Sequence, residues 1–566
     1  MKIPIFLISA VAASVKASAP LQNRESNWTI GQTVQTTSGP VNGHAALNES
    51  QVSEYLGIPF AKPPVGDLRF AAPVAYRGNA TLNGTNFGYT CPAQTTTYNA
   101  TLVQHSNVSV AVGFPVLQTV GTPLTAQSED CLTLNVWTKP QNGDSKKAVL
   151  VWVYGGGFNS GSSSILAMNG KHIVEQEDVI VVSINYRVNI FGFPGDPTST
   201  ANLGLLDQRL AVEWVRDNIA NFGGDTSRIT LFGQSAGSAS IDFYNYAWVE
   251  DPIVAGFIPQ SGTALSWDLP NKPETVALAW WNVTQALGCG GSSSSNVTAC
   301  VRTKNTTEIV NAISATSGSG GVLGSFGPTV DEIVVFSNYT ERSLAGNFTK
   351  KPMLIGNTEN EAGLFIATSS LQGLSYPDDV WKSFNLLSFT CPTGYRANYS
   401  IQAQVPTWRY RYFGAFPNTE IVPNAGAWHS ADIPILFDTN IANPPDTTEQ
   451  TAIGKYMRGA WAAFAKDPEN GLTNYGWPKY EPGKDTLIRL GYNNQTGTNL
   501  ASPSLYDAEC PKIIAASTGT NGSSSNYTGT SGTSSSSAPI TVSTSGAGSL
   551  QVGVMGLMGV VMAFLL

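Results

Sequence analysis

The chain has 566 residues and a net charge of −8, and only 12% of its residues are charged. That length can bury a large core, and enzymes with big α/β sheets reach it as one domain. The absence of a Lys/Arg cluster argues against a nucleic-acid partner, and an acidic, weakly charged surface suits an extracellular protein that handles neutral or cationic small molecules.

The N-terminus reads as a secretory signal over residues 1–19. Lys2 supplies the positive charge, residues 3–15 the apolar segment, and Ala17-Ser18-Ala19 a small-residue cleavage site. Pro20 disfavours a cut directly before it, so cleavage after Ala17 or Ser18 also fits. The six cysteines, Cys91, Cys131, Cys289, Cys300, Cys391 and Cys510, suit an oxidising compartment. Six allow 15 pairings, and the short separation of Cys289 and Cys300 favours that pair by loop closure. N-x-S/T sequons at Asn27, Asn79, Asn99, Asn282, Asn338, Asn398 and Asn494, among others, predict surface loops bearing N-glycans.

From about 145 to 260 strands and helices alternate. Residues 148–154 form a continuous apolar strand that ends in Gly155-Gly156-Gly157, and residues 178–186 form another around Val179-Ile180-Val181-Val182. Near-continuous apolar strands belong in a sheet covered on both faces. A helix follows, with Ala211, Val215, Ile219 and Phe222 on one face, stopped by Gly223-Gly224. Strand–helix–strand order implies parallel strands and right-handed crossovers. Residues 75–130 and 365–425 look like irregular insertions.

The apolar run 229–232 leads into Gly233-Gln234-Ser235-Ala236-Gly237. This is G-x-S-x-G between a strand and a helix, a turn so sharp that the serine's neighbours must be small. A serine hydroxyl needs a base in reach, and the base needs an acid to orient it. On this scaffold the base follows the nucleophile in the chain. Of the four histidines, His44, His105, His172 and His429, only His429 lies after Ser235. Beyond the strand predicted at 351–355, Glu359 and Glu361 are both candidates for the acid.

Past Lys512 no residue is charged. Residues 513–548 are mostly Ser, Thr, Gly, Ala and Asn and cannot form a core, and residues 549–566 are an apolar tail. Small residues, a polar spacer and a terminal apolar tail form the signal for a GPI anchor. The tail is short for a spanning helix and lacks a basic stop. The expected order is therefore a signal at 1–19, a catalytic domain at 20–512, a disordered stalk at 513–548 and an attachment signal or tail anchor at 549–566.

Several blocks together resemble the type-B carboxylesterase/lipase family of cholinesterase-like α/β-hydrolases. Leu56-Gly57-Ile58-Pro59-Phe60-Ala61-Lys62-Pro63-Pro64 with Leu68-Arg69-Phe70 is similar to its N-terminal block. Ser128-Glu129-Asp130-Cys131-Leu132-Thr133-Leu134-Asn135-Val136 resembles a second signature, whose closing residue is not matched at Lys139. Asn202-Leu203-Gly204-Leu205-Leu206-Asp207-Gln208-Arg209 and residues 222–237 resemble the helix and elbow. The resemblance implies an α/β-hydrolase fold, an α/β class with a large mostly parallel central sheet, helices on both faces and long loop insertions. It implies Glu361 as the acid in Gly356-Asn357-Thr358-Glu359-Asn360-Glu361, although Ala362 stands where the family usually has Gly, with Gly363 one later. It implies His429 in Gly426-Ala427-Trp428-His429-Ser430-Ala431-Asp432 as the base. Gly156, Gly157 and Ala236 would supply the oxyanion-hole N–H groups, and Ser261 would hydrogen-bond Glu361. The implied disulfides are Cys91–Cys131, Cys289–Cys300 and Cys391–Cys510.

These readings predict a secreted serine carboxylic-ester hydrolase that works through an acyl-enzyme on Ser235 and requires no metal or cofactor. A lipase or sterol esterase with a lid formed by the first disulfide loop is the close alternative. A catalytically inert adhesion domain of the same fold is the distant one, disfavoured because every catalytic position is filled. Choline esters are disfavoured because residues 92–130 hold Tyr98 and Phe114 but no Trp to face a quaternary ammonium.

Overall fold

A computed structural model describes residues 28–94, 103–266, 269–316 and 326–517. The expected signal at 1–19, the expected attachment signal or tail anchor at 549–566 and all but the start of the expected stalk lie outside the described residues. The C-terminal helix Cys510–Ser517 runs past the expected domain end at 512. Among the described residues no helix is long and apolar enough to cross a membrane.

Thirteen strands are described: β1 (Val34–Thr36), β2 (Gly39–Asn42), β3 (His44–Ala46), β4 (Glu49–Pro59), β5 (Leu82–Asn83), β6 (Thr133–Thr138), β7 (Lys147–Val153), β8 (Ile180–Ile184), β9 (Gly224–Gln234), β10 (Gly256–Gln260), β11 (Met353–Thr358), β12 (Thr407–Tyr412) and β13 (Ile488–Leu490). Ten form one sheet in the order β13-β12-β11-β10-β9-β7-β8-β6-β4-β3. Pairing is parallel from β13 through β8 and antiparallel where β6, β4 and β3 extend the edge. Every residue of β7, β8, β10, β11 and β12 is buried. Side chains alternate across a strand, so both faces must be covered. The expected α/β-hydrolase architecture is the one observed.

The predicted strands at 148–154 and 178–186 are β7 and β8. The helix anticipated from its apolar stripe runs Leu203–Asn218 and then tightens into a 3₁₀ turn over Ile219–Phe222, so Ile219 and Phe222 lie beyond its end. Asp207 on this helix accepts both the backbone N–H and the guanidinium of Arg187, at 3.0, 2.8 and 2.7 Å, and ties the helix to the segment after β8.

One reading needs correction. Residues 365–425 are not irregular. They hold the helices Ala362–Leu371, Asp378–Asn385 and Cys391–Gln402 and the sheet strand β12. The last of these helices buries mostly small and polar side chains and is held by other contacts as well. Arg396 is buried against Asp242 at 2.7 Å, and Cys391 is bonded to Cys510. Of residues 75–130, the described ones are largely without regular structure, with β5, the helical residues 103–104 and the helix Gly113–Gly121 as exceptions.

A helix not foreseen, Thr448–Lys466, begins with a capping box in which Thr447 and Gln450 satisfy each other's backbone N–H groups. It buries Ile453, Met457, Trp461 and Phe464 along one stripe and packs against β7 and β9. Trp152 on β7, Phe232 on β9 and Phe437 on the helix Asp432–Phe437 meet with ring centroids 4.7, 5.0 and 5.8 Å apart. This aromatic cluster pins the helix that follows His429 to the strand that ends at Ser235.

Candidate active site

Ser235 occupies the turn between β9 and the helix Ala236–Ala247, with φ 57° and ψ −125°. Such backbone is strained for a side-chain-bearing residue and survives only where packing enforces it. The flanking glycines show the enforcement. A Cβ on Gly237 would sit 2.1 Å from the Val153 carbonyl oxygen, and one on Gly233 would sit 2.8 Å from the carbonyl oxygens of Gly237 and Val153. The Ser235 N–H donates to the Gln260 carbonyl at 2.9 Å and anchors the turn to β10.

His429 and Glu361 come from loops at the ends of sequence-distant elements, and the two loops are stitched together. Asn360 N donates to the Ala427 carbonyl at 2.9 Å, and Asn360 Nδ2 to the Ala425 carbonyl at 2.8 Å. Glu361 is 1% exposed and His429 3% exposed, and the imidazole Nδ1 donates to Glu361 Oε2 at 2.5 Å. That bond leaves Nε2 as an acceptor, and it takes a hydrogen bond from the Gln234 amide at 3.0 Å. Glu359, the rival acid, is exposed, and its backbone pairs with Tyr412 and Arg411. The shifted glycine also has a reason. A Cβ on Gly363 would meet Trp428 Cβ at 2.7 Å and the Ala425 carbonyl at 2.8 Å, whereas the side chain of Ala362 is buried in a small apolar cluster.

Gly155, Gly156 and Gly157 follow β7 and face the elbow. Gly156 has φ 119°, and a Cβ on Gly155 would lie 2.7 Å from the Cβ of Ser235. Gly156, Gly157, Ser235, Ala236 and His429 all line one cavity of about 460 Å³. Its remaining wall combines apolar Leu117, Phe365 and Phe389 with neutral Gln94, Gln118 and Gln127, and among the described residues His429 is the only titratable one lining it. Phe365 and Phe389 lie against His429, with ring centroids 5.3 and 4.8 Å away.

Two features behind Ser235, Glu361 and His429 differ from the sequence reading. Ser261, the expected partner of Glu361, makes no such contact. Its Oγ is buried without a hydrogen-bond partner, and the second bond to Glu361 comes from Thr358 N at 2.7 Å. The turn after β11 folds the carboxylate back onto its own backbone, so no outside hydroxyl is used. The second feature is Asp432, three residues after the histidine. It is fully buried, accepts from Gln260 Nε2 at 3.2 Å and Tyr410 Oη at 3.4 Å, and leaves Oδ1 without a partner. Burial, and then the nearby Glu361 carboxylate, push its pKa up to about 6. Its only signal in the sequence was its place in the histidine loop.

The three disulfides are Cys91–Cys131, Cys289–Cys300 and Cys391–Cys510. The first closes the segment that contributes Gln94, Leu117, Gln118 and Gln127 to the cavity wall. Among the described residues no group of three His, Cys, Asp or Glu side chains is gathered to hold a metal ion.

Comparison with known proteins bears on this geometry. The family model described as the carboxylesterase family matches residues 31–379 and 372–506. The chain is 36% identical over 514 residues to a chlorogenic acid esterase of Aspergillus niger, spanning 86% of this chain and 96% of that protein. It is 31% identical over 541 residues to secreted lipase 5 of Gibberella zeae, spanning 90% and 99%. It is also 35% identical over 345 residues to a mouse cholinesterase, spanning 59% of this chain and 54% of that one.

Proposed function

The chain belongs to the carboxylesterase family, and on that premise we propose that it hydrolyses small carboxylic esters through an acyl-enzyme on Ser235, with His429 as base and Glu361 as acid. The observation that carries this reading is the 2.5 Å bond between buried Glu361 and His429 Nδ1, which leaves Nε2 as an acceptor on a residue that lines the same cavity as Ser235. His429 takes the serine proton as Oγ attacks the ester carbonyl, and Glu361 stabilises the imidazolium. Negative charge on the former carbonyl oxygen is met by the N–H groups of Gly156, Gly157 and Ala236. His429 then protonates the departing alcohol and activates the water that frees the acid. In the resting arrangement Nε2 is bonded to Gln234, so that amide must yield when Ser235 reacts.

Labelling by an organophosphate tests the reading. Stoichiometric modification at Ser235 is the expected result; folded protein that stays unmodified would instead support an inert, adhesion-type domain. The sequence signals support secretion, N-glycans and a GPI anchor. A phosphatidylinositol-specific phospholipase should then release the protein from cells, and release by mild detergent alone would point to a retained tail helix.

A lipase reading has one observation in its favour. The helix Gly113–Gly121, inside the first disulfide loop, presents Leu117 and Val120 to the cavity, and that loop is where a lid would sit. A jump in rate at a lipid interface, measured over p-nitrophenyl esters of rising chain length, would favour it.

A further inference from the structure

Beside the catalytic cavity runs a second, more open groove of about 990 Å³. The two share Ala93, Gln94, Thr122, Pro123 and Gln127 as lining residues, so the groove lies directly beside the cavity that holds Ser235. On the assumption that Ser235 turns over esters as proposed above, we propose that this groove is the subsite for the departing alcohol, and that the alcohol is a neutral polyhydroxylated one such as a sugar or polyol.

The argument rests on what the walls offer. One wall is a face of the helix Thr306–Thr316, where Thr306, Val310 and Ser314 recur at intervals of four, with Thr307 and Asn311 alongside. The other is the segment from Thr122 to Glu129, with Thr125, Gln127 and Ser128. Nearly every polar group on both is a hydroxyl or an amide, able to donate and accept. Among the described residues Glu129 is the only charged one lining the groove, and its carboxylate is committed. Arg69 donates to it from Nε at 2.7 Å and from Nη2 at 2.5 Å, and Thr306 Oγ1 donates at 2.6 Å. Among the described residues the groove therefore presents no free charge to an ionic ligand. An apolar chain would gain little there, since it would desolvate amides and hydroxyls that it cannot satisfy. Groups that donate and accept in every direction, as sugar hydroxyls do, match the lining.

The walls are also tied in place. Gln94, which lines both spaces, donates from Nε2 to Ser314 Oγ at 2.7 Å, and Ala93 N donates to Gln127 Oε1 at 3.1 Å. The alcohol half is assigned here, rather than the acyl half, because of access. The acyl group stays bonded to serine after the first step, while the alcohol must leave before water can attack. The groove is the outlet to solvent: Gln127, Thr307, Asn311 and Ser314 are all exposed.

The test compares esters of one short aliphatic acid with methanol and with glucose, using the full chain. The glucose ester is expected to show a kcat/KM about tenfold higher or more, from two or three added neutral hydrogen bonds. Asn311→Trp, which fills the groove, should bring the glucose ester down to the methyl ester while leaving methyl-ester hydrolysis within about twofold. Asn311→Leu, a milder change, should lower the glucose ester part of the way. Equal rates for the two esters in the unaltered protein would overturn the proposal, as would an advantage that survives Asn311→Trp. A preference that follows hydroxyls placed on the acid instead would overturn the assignment to the alcohol. Loss of methyl-ester hydrolysis in the unaltered protein would instead overturn the esterase reading itself.

Discussion

The floor of the site and its mouth are built on opposite principles. At the floor, Ser235, Glu361 and His429 are held by backbone approaches so close that a single Cβ on Gly237 would come within 2.1 Å of a carbonyl oxygen. At the mouth, Gln118, Gln127, Thr307 and Asn311 point into solvent from a long disulfide-closed loop and a short helix. Close packing fixes geometry because interiors have no slack to absorb an added group. Exposed polar side chains can be exchanged at little cost in stability. On the proposed reading the chemistry is locked into the scaffold, while substrate choice is left to residues that can change freely.

Substitutions graded from floor to mouth can break that contrast. The largest effect is expected for Ser235→Ala, a fall in kcat of about 10⁵- to 10⁶-fold with substrate binding nearly retained. Glu361→Gln should cost about 10⁴-fold, and Glu359→Gln less than about twofold. If the Glu359 variant is the crippled one, the acid has been assigned to the wrong carboxylate.

Asp432→Asn probes the layer beneath the triad through stability. A carboxyl raised from 3.8 to about 6 in the folded protein resists ionisation there, so the native state holds its proton more tightly than the unfolded chain does. Its penalty is absent below pH ~4, grows as pH rises from ~4 to ~6, and stays constant above, reaching roughly 3 kcal/mol. Unfolding by urea should therefore show the Asn variant gaining on the parent by up to roughly 3 kcal/mol at pH 7.5 relative to pH 4. A difference that does not change with pH would refute this account. Gln118→Ala, at the mouth, should move stability by no more than ~0.5 kcal/mol and methyl-ester hydrolysis by less than about twofold. A large loss there would show that the floor depends on the mouth after all.

Much of the floor was legible in the chain because its constraints are local. The elbow needs glycines beside Ser235, the oxyanion strip needs glycines after an apolar strand, and elimination leaves His429 as the one downstream histidine. Asp432 and Gln234 were not singled out, since a buried carboxyl or amide carries no periodic mark and acquires its partners only when β10, β12 and the histidine loop converge. Ser261 was misjudged for a related reason. Its expected bond depended on where Glu361 points, and Thr358 N, three residues upstream, captures that carboxylate first. The helices between 362 and 402 were missed although Asp378–Asn385 carries a buried stripe of Val380, Trp381 and Phe384; the last of them buries mostly small and polar side chains and is secured by a buried ion pair and a disulfide, which leave no such mark.

The amino-acid sequence by itself determined the parallel core strands, the nucleophile turn and the family, because apolar runs and tight turns depend on neighbours in the chain. Only the tertiary structure decided which glutamate meets His429, what lies beneath the pair, and that a neutral polar groove opens beside the catalytic cavity. Those outcomes join residues as far apart as Gln94 and Ser314, and no local preference encodes a contact between segments that meet only when the whole sheet has closed.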